Sequence, residues 1–466
     1  MLQTRPPIIV ILGHVDHGKT TLLDYLRQSH VAAREVGGIT QHIRSFQLKT
    51  AAGKLLTFID TPGHAAFVSM RERGSRVADI ALLIVAGNDG VMPQTKEAAA
   101  AILAAKIPYL VVITKSDLPE ADPDRVKTQL TELGIVVEDF GGPVPAAVVS
   151  AKTGAGIPQL LDTINLLSEL HPPQADPDGQ LAAVVIESRL DSKKGPLAEV
   201  IVKNGTLTTG VSLFTSALVG RVRALLNSDA QNLPSALPST PVEILGLTSV
   251  PPVGTVISDH PLTVSSPVAV PLPVSKPGSL NIILRADVVG SLEAITALLD
   301  PQITVLSSAT GDVSENDILL ARPSDAQVLA FNVKIPGSVA KLAEIEAVPV
   351  HSFRIIYELS DYLDQLLHPA VTEVILGQAV ISAEFKIGPD RIAGCRVQDG
   401  QLDRGGEVRL ERGSQVIGTS KLKSLQIGKT AADRVKAGQE FGATLSPYLD
   451  FKVGDYIIAI AHHGSS

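Results

Sequence analysis

The plainest chemistry in this chain lies in eight residues near its start, Gly13-His14-Val15-Asp16-His17-Gly18-Lys19-Thr20. Glycines let such a loop curl tightly, so that its backbone N–H groups converge on an anion, with Asp16, His17 and Gly18 as backbone donors. Lys19 offers a cation to the outer phosphates of a nucleotide. The Thr20 hydroxyl is suited to Mg²⁺, and Thr21 follows at the head of the next helical pattern. A Gly-rich turn can arise by chance; a phosphate-binding loop must lie between a strand and a helix.

Three further segments follow in order. Asp60-Thr61-Pro62-Gly63 places a carboxylate on the Mg²⁺ side and a glycine N–H near the terminal phosphate. Thr114-Lys115-Ser116-Asp117 offers a carboxylate that can accept from guanine N1 and N2, a pattern adenine cannot match. Ser150-Ala151-Lys152 closes the base pocket with a backbone N–H suited to guanine O6. Each is weak alone. Together and in order they specify a GTP/GDP site.

The elements needed to position these residues are legible. Apolar runs at Pro7–Leu12, Leu55–Ile59, Ile80–Ala86 and Tyr109–Ile113 have the length of buried strands. Helical spacing appears at Thr20–Leu26, Lys96–Ala105 and Ile157–Leu167. Strands alternating with helices predict a mainly parallel sheet covered on both faces, with ligand beyond the carboxyl ends of the strands.

The 466 residues exceed one hydrophobic core, so roughly three to four domains are expected. Hydrophobic residues make up 45% but aromatic ones only 3%, so the cores must be built from Val, Leu, Ile and Ala. The single cysteine, Cys395, rules out an intramolecular disulfide and fits a reducing compartment. No apolar run reaches the ~18 residues of a membrane span, and no secretory signal precedes the first motif. A cytoplasmic, membrane-free, monomeric protein is expected. A net charge of −8 argues against one that coats nucleic acid non-specifically, while leaving local RNA contacts open.

At this point the chain resembles bacterial translation initiation factor two, a translational GTPase family. The likeness rests on Gly13–Thr20, on Gly37-Gly38-Ile39-Thr40-Gln41-His42-Ile43, on Asp60–Phe67 and on Val91-Met92-Pro93-Gln94-Thr95, and it covers nearly the whole chain. It implies a factor that places formylmethionyl initiator tRNA on the small ribosomal subunit, promotes subunit joining and then hydrolyses GTP. By this resemblance Thr40 binds Mg²⁺ and the terminal phosphate, Asp60 holds Mg²⁺ through water, and His64 orients the attacking water. Val15 and Ile39 form the apolar gate that keeps His64 back. Thr114 departs from the family, which has Asn there, and this implies a weaker hold on guanine with specificity kept by Asp117. Members commonly carry a segment before the GTP-binding domain; here the first strand begins at Pro7, which reads as a trimmed or minimal member.

The expected organisation is a P-loop GTPase domain (1–170), a β-barrel (179–260), a Pro-rich linker (261–278), a small α/β/α domain (279–350), a connecting helix (351–369) and a C-terminal β-barrel (370–466). Gly195-Pro196 and Asn204-Gly205-Thr206-Leu207 resemble the second domain of translational GTPases, which leans on ribosomal RNA; Lys193, Lys194, Arg221 and Arg223 are candidates for that contact, though charged loop residues are usually just solvated. Ile355, Ile356, Leu359, Leu363, Leu366 and Leu367 form the apolar stripe of the connecting helix. In the family the last barrel grips the formylmethionine end of initiator tRNA. Cys395, Lys423, Glu440, Phe441 and Gly442 are the candidates here. The surface departs from the family at Ser424-Leu425-Gln426-Ile427 and at Glu440-Phe441-Gly442, where Phe441 either lines the pocket or fills it. Cys395 reads equally as a small buried hydrophobe. The alternative is a ribosome-binding GTPase that has lost tRNA recognition.

Overall fold

The computed structural model describes residues 1–27, 39–50, 52–262, 279–367, 372–387, 390–413, 415–428 and 430–463. Gly37, Gly38 and most of the expected linker lie outside the described residues.

The first domain contains β1 (Ile8–Gly13), α1 (Lys19–Arg27), β2 (Arg44–Lys49), β3 (Leu55–Asp60), α2 (Val68–Val77), β4 (Ile80–Ala86), α3 (Pro93–Ala105), β5 (Tyr109–Thr114), α4 (Pro123–Glu132), β6 (Ala146–Val148) and α5 (Ile157–Leu170). Strand order is β2-β3-β1-β4-β5-β6, parallel except for β2 against β3. Side chains of a strand alternate between faces, so a strand apolar at every position must be covered on both. Val10, Leu12, Leu83 and Val85 pack on the side of α2 and α3, against Met70 and Ile102. Ile9, Ile11, Leu82 and Ile84 pack on the other side with Leu22 and Leu23 of α1 and Leu160 and Ile164 of α5. The carboxyl ends of β1, β3 and β5 therefore deliver their loops to one edge.

Helix α4 was not expected from its polar composition, yet its start carries a signal. Asp122 accepts the Arg125 N–H at 3.0 Å as N-cap, and Pro123 follows at the first helical position.

Next comes an antiparallel domain of β7 (Ala182–Asp191), β8 (Gly195–Asn204), β9 (Ser212–Phe214), β10 (Leu218–Leu226), β11 (Pro241–Leu247) and β12 (Val256–Ile257). Its order is β9-β10-β11-β8-β7-β12, and a bridge from Phe214 to Ser258 joins the two ends into a barrel. A parallel sheet then holds β13 (Leu280–Ala286), β14 (Ile303–Thr310), β15 (Gln327–Phe331) and β16 (Val350–Phe353) in the order β14-β13-β15-β16. Helices α6 (Val289–Leu298), α7 (Glu315–Ala321) and α8 (Gly337–Ile345) accompany it, and α9 (Ile356–Leu367) follows. The connecting helix starts at Ile356, later than the expected 351, because Phe353 pairs with Phe331 as the end of β16.

The chain divides into two compact units, Met1–Leu363 and Asp364–Ser466. Taken by itself, the second is a closed antiparallel barrel of β17 (Thr372–Ile387), β18 (Asp390–Asp403), β19 (Glu407–Arg412), β20 (Gln415–Ile427), β21 (Glu440–Ser446) and β22 (Tyr456–His463). Pairings run β17-β22-β19-β20-β21-β18 and return from β18 to β17.

Within the first unit, one apolar cluster runs from Phe67 and Met70 through Ile186 to Leu284, Ala286 and Phe331. Glu187 of β7 is buried at this junction. Its Oε1 accepts the N–H groups of Ser188 at 3.0 Å and Gly290 at 3.1 Å, while Oε2 has no hydrogen-bond partner among the described residues. A glycine at 290 gives both side chains room, since a Cβ there would lie 2.2 Å from Met70 Cε and 2.6 Å from Glu187 Oε2 and would make them shift. Nearby, His42 Nε2 lies 3.2 Å from Asp287 and Arg73 pairs with Glu293 at 2.5 Å.

Burial pushes the Glu187 carboxyl up to about 7. For His42, burial works downward, but the hydrogen bond and charge of Asp287 prevail and its pKa is raised. Both groups bind protons more tightly folded than unfolded, so their stabilisation is full at acid pH and is lost as pH rises through the folded values. For Glu187 the span from its ordinary value to about 7 corresponds to roughly 3 kcal/mol. Thermal unfolding measured from about pH 5 to about pH 8 should show Tm falling as pH rises, and Glu187→Gln should flatten that slope. An unchanged slope would remove Glu187 from the linkage.

Candidate functional site

The loop after β1 turns at Gly13, where φ is +154° and a Cβ would lie 2.4 Å from the Ile84 carbonyl oxygen. Asp16 at φ +62° then bends the chain into α1. Lys19, in the first turn, is 6% exposed and donates to the carbonyls of Gly13 at 2.9 Å and His14 at 2.6 Å. Burial lowers its pKa to about 8 against the opposing pull of Asp60. A desolvated ammonium held by neutral carbonyls is poised for an anion, which would restore its full charge. A Cβ at Gly63 would lie 2.5 Å from Lys19 Nζ and 2.9 Å from Val15 N, so only glycine lets the two loops approach.

The Thr20 and Thr40 hydroxyl oxygens lie 2.6 Å apart. Asp60 is buried at the end of β3, opposite Ile11 of β1. Two hydroxyls and a carboxylate are hard oxygen donors of the kind Mg²⁺ selects, so this set fits that ion.

At the other end, Ser150 donates to Asp117 at 2.7 Å, and this hydrogen bond, aided by Lys152, holds the exposed carboxyl below the usual aspartate range. The bond also fixes the carboxylate's direction. Thr114 donates to the His17 carbonyl at 2.6 Å, tying the phosphate loop to the end of β5. Its hydroxyl thus serves the framework of the site.

These groups surround a cavity of about 370 Å³. Its wall contains Asp16, Gly18, Lys19, Thr20, Thr21, Gly63, Thr114, Lys115, Asp117, Ala151 and Lys152, together with Val15, Ile39, Thr40 and His64. Three residues singled out in the sequence stand behind the wall. The His17 ring is buried near the Ile84 carbonyl, and burial, with His14, lowers its pKa to about 4. Ser150 acts through Asp117, and Asp60 is 3% exposed.

His64 caps a short helical turn, its Nδ1 accepting the Ala66 N–H at 2.9 Å. The neutral ring therefore carries its proton on Nε2. Burial, then the Arg71 charge, lowers its pKa, which favours that neutral form. Arg71 holds the turn by donating to the carbonyls of Pro62, Gly63 and His64 and to Glu97.

Sequence reasoning missed several partners. Gln94 accepts the Val15 N–H at 3.0 Å, Arg71 braces the turn, and Tyr357 lies against His64 with ring centroids 4.3 Å apart. The Val91–Thr95 motif offered a signal for Gln94. None exists for Tyr357, which is nearly three hundred residues away.

The C-terminal barrel carries a second cavity, of about 390 Å³, whose lining includes Phe385, Ile392, Gly394, Cys395, Gln426, Glu440, Phe441 and Gly442. Strands β18 and β21 pair Gly394 with Gly442 and Cys395 with Phe441. Successive residues alternate in direction, so Cys395 and Phe441 belong to the barrel core at 2% and 4% exposure. Burial pushes the Cys395 thiol up to about 12, an inert small hydrophobe. Phe441 therefore does not fill the cavity from outside. The paired glycines open it, since a Cβ on Gly394 would lie 2.7 Å from Phe385 Cε2. Lys423 is not in this cavity; it lines a separate groove with Arg404 and Lys421.

Comparison with known proteins adds independent findings. Residues 4–169 match the elongation factor Tu GTP binding domain, 180–260 match elongation factor G domain 2, and 273–364 match translation-initiation factor 2. Translation initiation factor IF-2 of Thermus thermophilus is 41% identical over 98% of this chain and 87% of that protein. The chain belongs to the translation initiation factor IF-2 family. The Deinococcus radiodurans IF-2 is likewise 41% identical, over 98% of this chain and 83% of its own. Among solved structures, GDP-bound aIF5B from Aeropyrum pernix shares the fold at 24% identity and TM-score 0.50, covering 98% of this chain and 92% of that one. The fold class is thus a multidomain translational GTPase with a G domain and two β-barrels, as the sequence implied. As an IF-2 family member with the elongation factor Tu type of GTP-binding domain, the chain is a translation initiation GTPase that binds GTP and GDP. No helix among the described residues is long and apolar enough to cross a membrane.

Proposed function

We propose that this GTPase carries formylmethionyl initiator tRNA onto the small ribosomal subunit as a cytoplasmic monomer, promotes subunit joining, and hydrolyses GTP once the subunits have joined. The observation that carries this reading is the single cavity whose wall holds Lys19, the Thr20–Thr40 hydroxyl pair, the Ser150-aligned Asp117 and His64. Asp117 reads guanine N1 and N2 while Ala151 and Lys152 close over the base. The phosphates lie along the loop from Asp16 to Thr21, with the outermost between Lys19 and the Gly63 N–H. Thr20, Thr40 and Asp60 would hold Mg²⁺, which would neutralise phosphate charge.

The protein's task in such a reaction is positioning and electrostatics. Lys19 offsets the charge that develops as the terminal phosphoryl leaves. His64 orients the attacking water, and Val15 and Ile39 stand beside it as the gate. The ribosome supplies the push that brings His64 to the phosphate.

Support for the tRNA role comes from the C-terminal cavity. Phe385 and Ile392 give it an apolar wall for a thioether side chain, and Gln426 and Glu440 bring polar groups to a formylated amine. Rapid mixing of the GTP-loaded protein with small-subunit complexes, followed by large subunits, tests the scheme. Phosphate should appear in a burst only when both subunits are present; equal release without ribosomes would refute ribosomal triggering.

A further inference from the structure

Helix α9 begins beside the nucleotide cavity and is fastened there in two ways. Ile356 and Leu359 are fully buried in the apolar cluster shared with the G domain. Gln41, the neighbour of Thr40, donates from Nε2 to the Arg354 carbonyl at 3.0 Å and accepts the Ile356 N–H at 3.3 Å. Between these anchors Tyr357 is 45% exposed, so the fold does not need its ring as core. The ring instead meets the His64 imidazole edge to face, with centroids 4.3 Å apart at 73°. Burial and the negative charge of Asp16 raise the phenol pKa, consistent with a ring that sits over the phosphate loop.

We infer that Tyr357 is a positioning residue that parks His64 away from the terminal phosphate until the start of α9 is displaced. The inference rests on the water-orienting role proposed for His64. On this reading the imidazole gives up the tyrosine ring as it moves to the phosphate. An edge-to-face pair holds its partner by an amount equal to about two- to tenfold in an equilibrium. Because Gln41 clasps the same helix end, a displacement that frees His64 also pulls on the segment carrying Thr40. Val15 and Ile39 lie in the same wall, but Tyr357 is the partner that makes a ring contact from outside the G domain.

The test uses the full chain with Tyr357→Ala and Tyr357→Phe, each also on a His64→Ala background. Tyr357→Ala should keep GTP affinity and raise ribosome-free single-turnover hydrolysis about two- to tenfold. In NMR titration it should also move the His64 pKa up towards the ordinary histidine value, because part of the burial is gone. Tyr357→Phe keeps the ring and should stay near wild type in both readouts. On the His64→Ala background, Tyr357→Ala should change nothing. A folded Tyr357→Ala protein with unchanged hydrolysis and an unchanged His64 titration would overturn the inference, as would acceleration that persists without His64. If instead His64→Ala leaves ribosome-stimulated hydrolysis intact, the role of His64 is what fails.

Discussion

Replacing His64 with Ala should leave GTP affinity close to wild type and cut ribosome-stimulated hydrolysis by about 10²–10⁴-fold, the usual contribution of one group positioned on the reacting water. Affinity is spared because binding rests on other contacts: the loop, Lys19, and the Ser150-aligned Asp117. His64 Nδ1 is engaged by the Ala66 N–H, which leaves Nε2 for water. The fold is also spared, since Arg71 holds the turn through backbone carbonyls that an alanine retains. Quench-flow on ribosomes gives the rate and equilibrium nucleotide titration gives the affinity. Full turnover in the variant would remove His64 from the mechanism.

Asp117→Asn should exchange the preferred base. An aspartate carboxylate accepts two N–H donors from guanine; an amide presents one donor and one acceptor, which suits the C2 carbonyl of xanthine. Sites built around hydrogen bonds reject a mispaired ligand strongly because a polar group is left unpaired, and a change of about 10²–10⁴-fold in the GTP-to-XTP affinity ratio is expected. The Ser150 hydroxyl can still reach the amide oxygen, so the loop keeps its shape. Competition between the two triphosphates measures the ratio. A variant that still prefers GTP would mean that Asp117 does not read the base.

Much of the G domain was legible because its strands are buried on both faces and so read as unbroken apolar runs, Ile80–Ala86 being the clearest. The loops at their ends carry rigid requirements on residue type, which is why Lys19, Gly63 and Asp117 stood out. Strand β2 was missed because Arg44–Lys49 alternates weakly and lies at the sheet's edge. The C-terminal barrel was legible as a β-structure, but not in which direction its side chains point. A shift of one residue exchanges the two faces of a strand, and the pairing of Cys395 with Phe441 places both in the core while Gly394 and Gly442 open the cavity. Contacts across domains, such as His64 with Tyr357 or Gln41 with the start of α9, leave no local pattern at all.

The most direct test of the initiation role is whether the chain protects the ester bond of formylmethionyl initiator tRNA from hydrolysis, with the unformylated form as control. Selective protection of the formylated form is expected, weakened by Gly442→Val, which adds side-chain bulk where even a Cβ would lie 3.3 Å from Ile392 Cγ2. Equal hydrolysis of both forms in a protein that still binds GTP would contradict the account and leave a ribosome-bound GTPase without tRNA recognition.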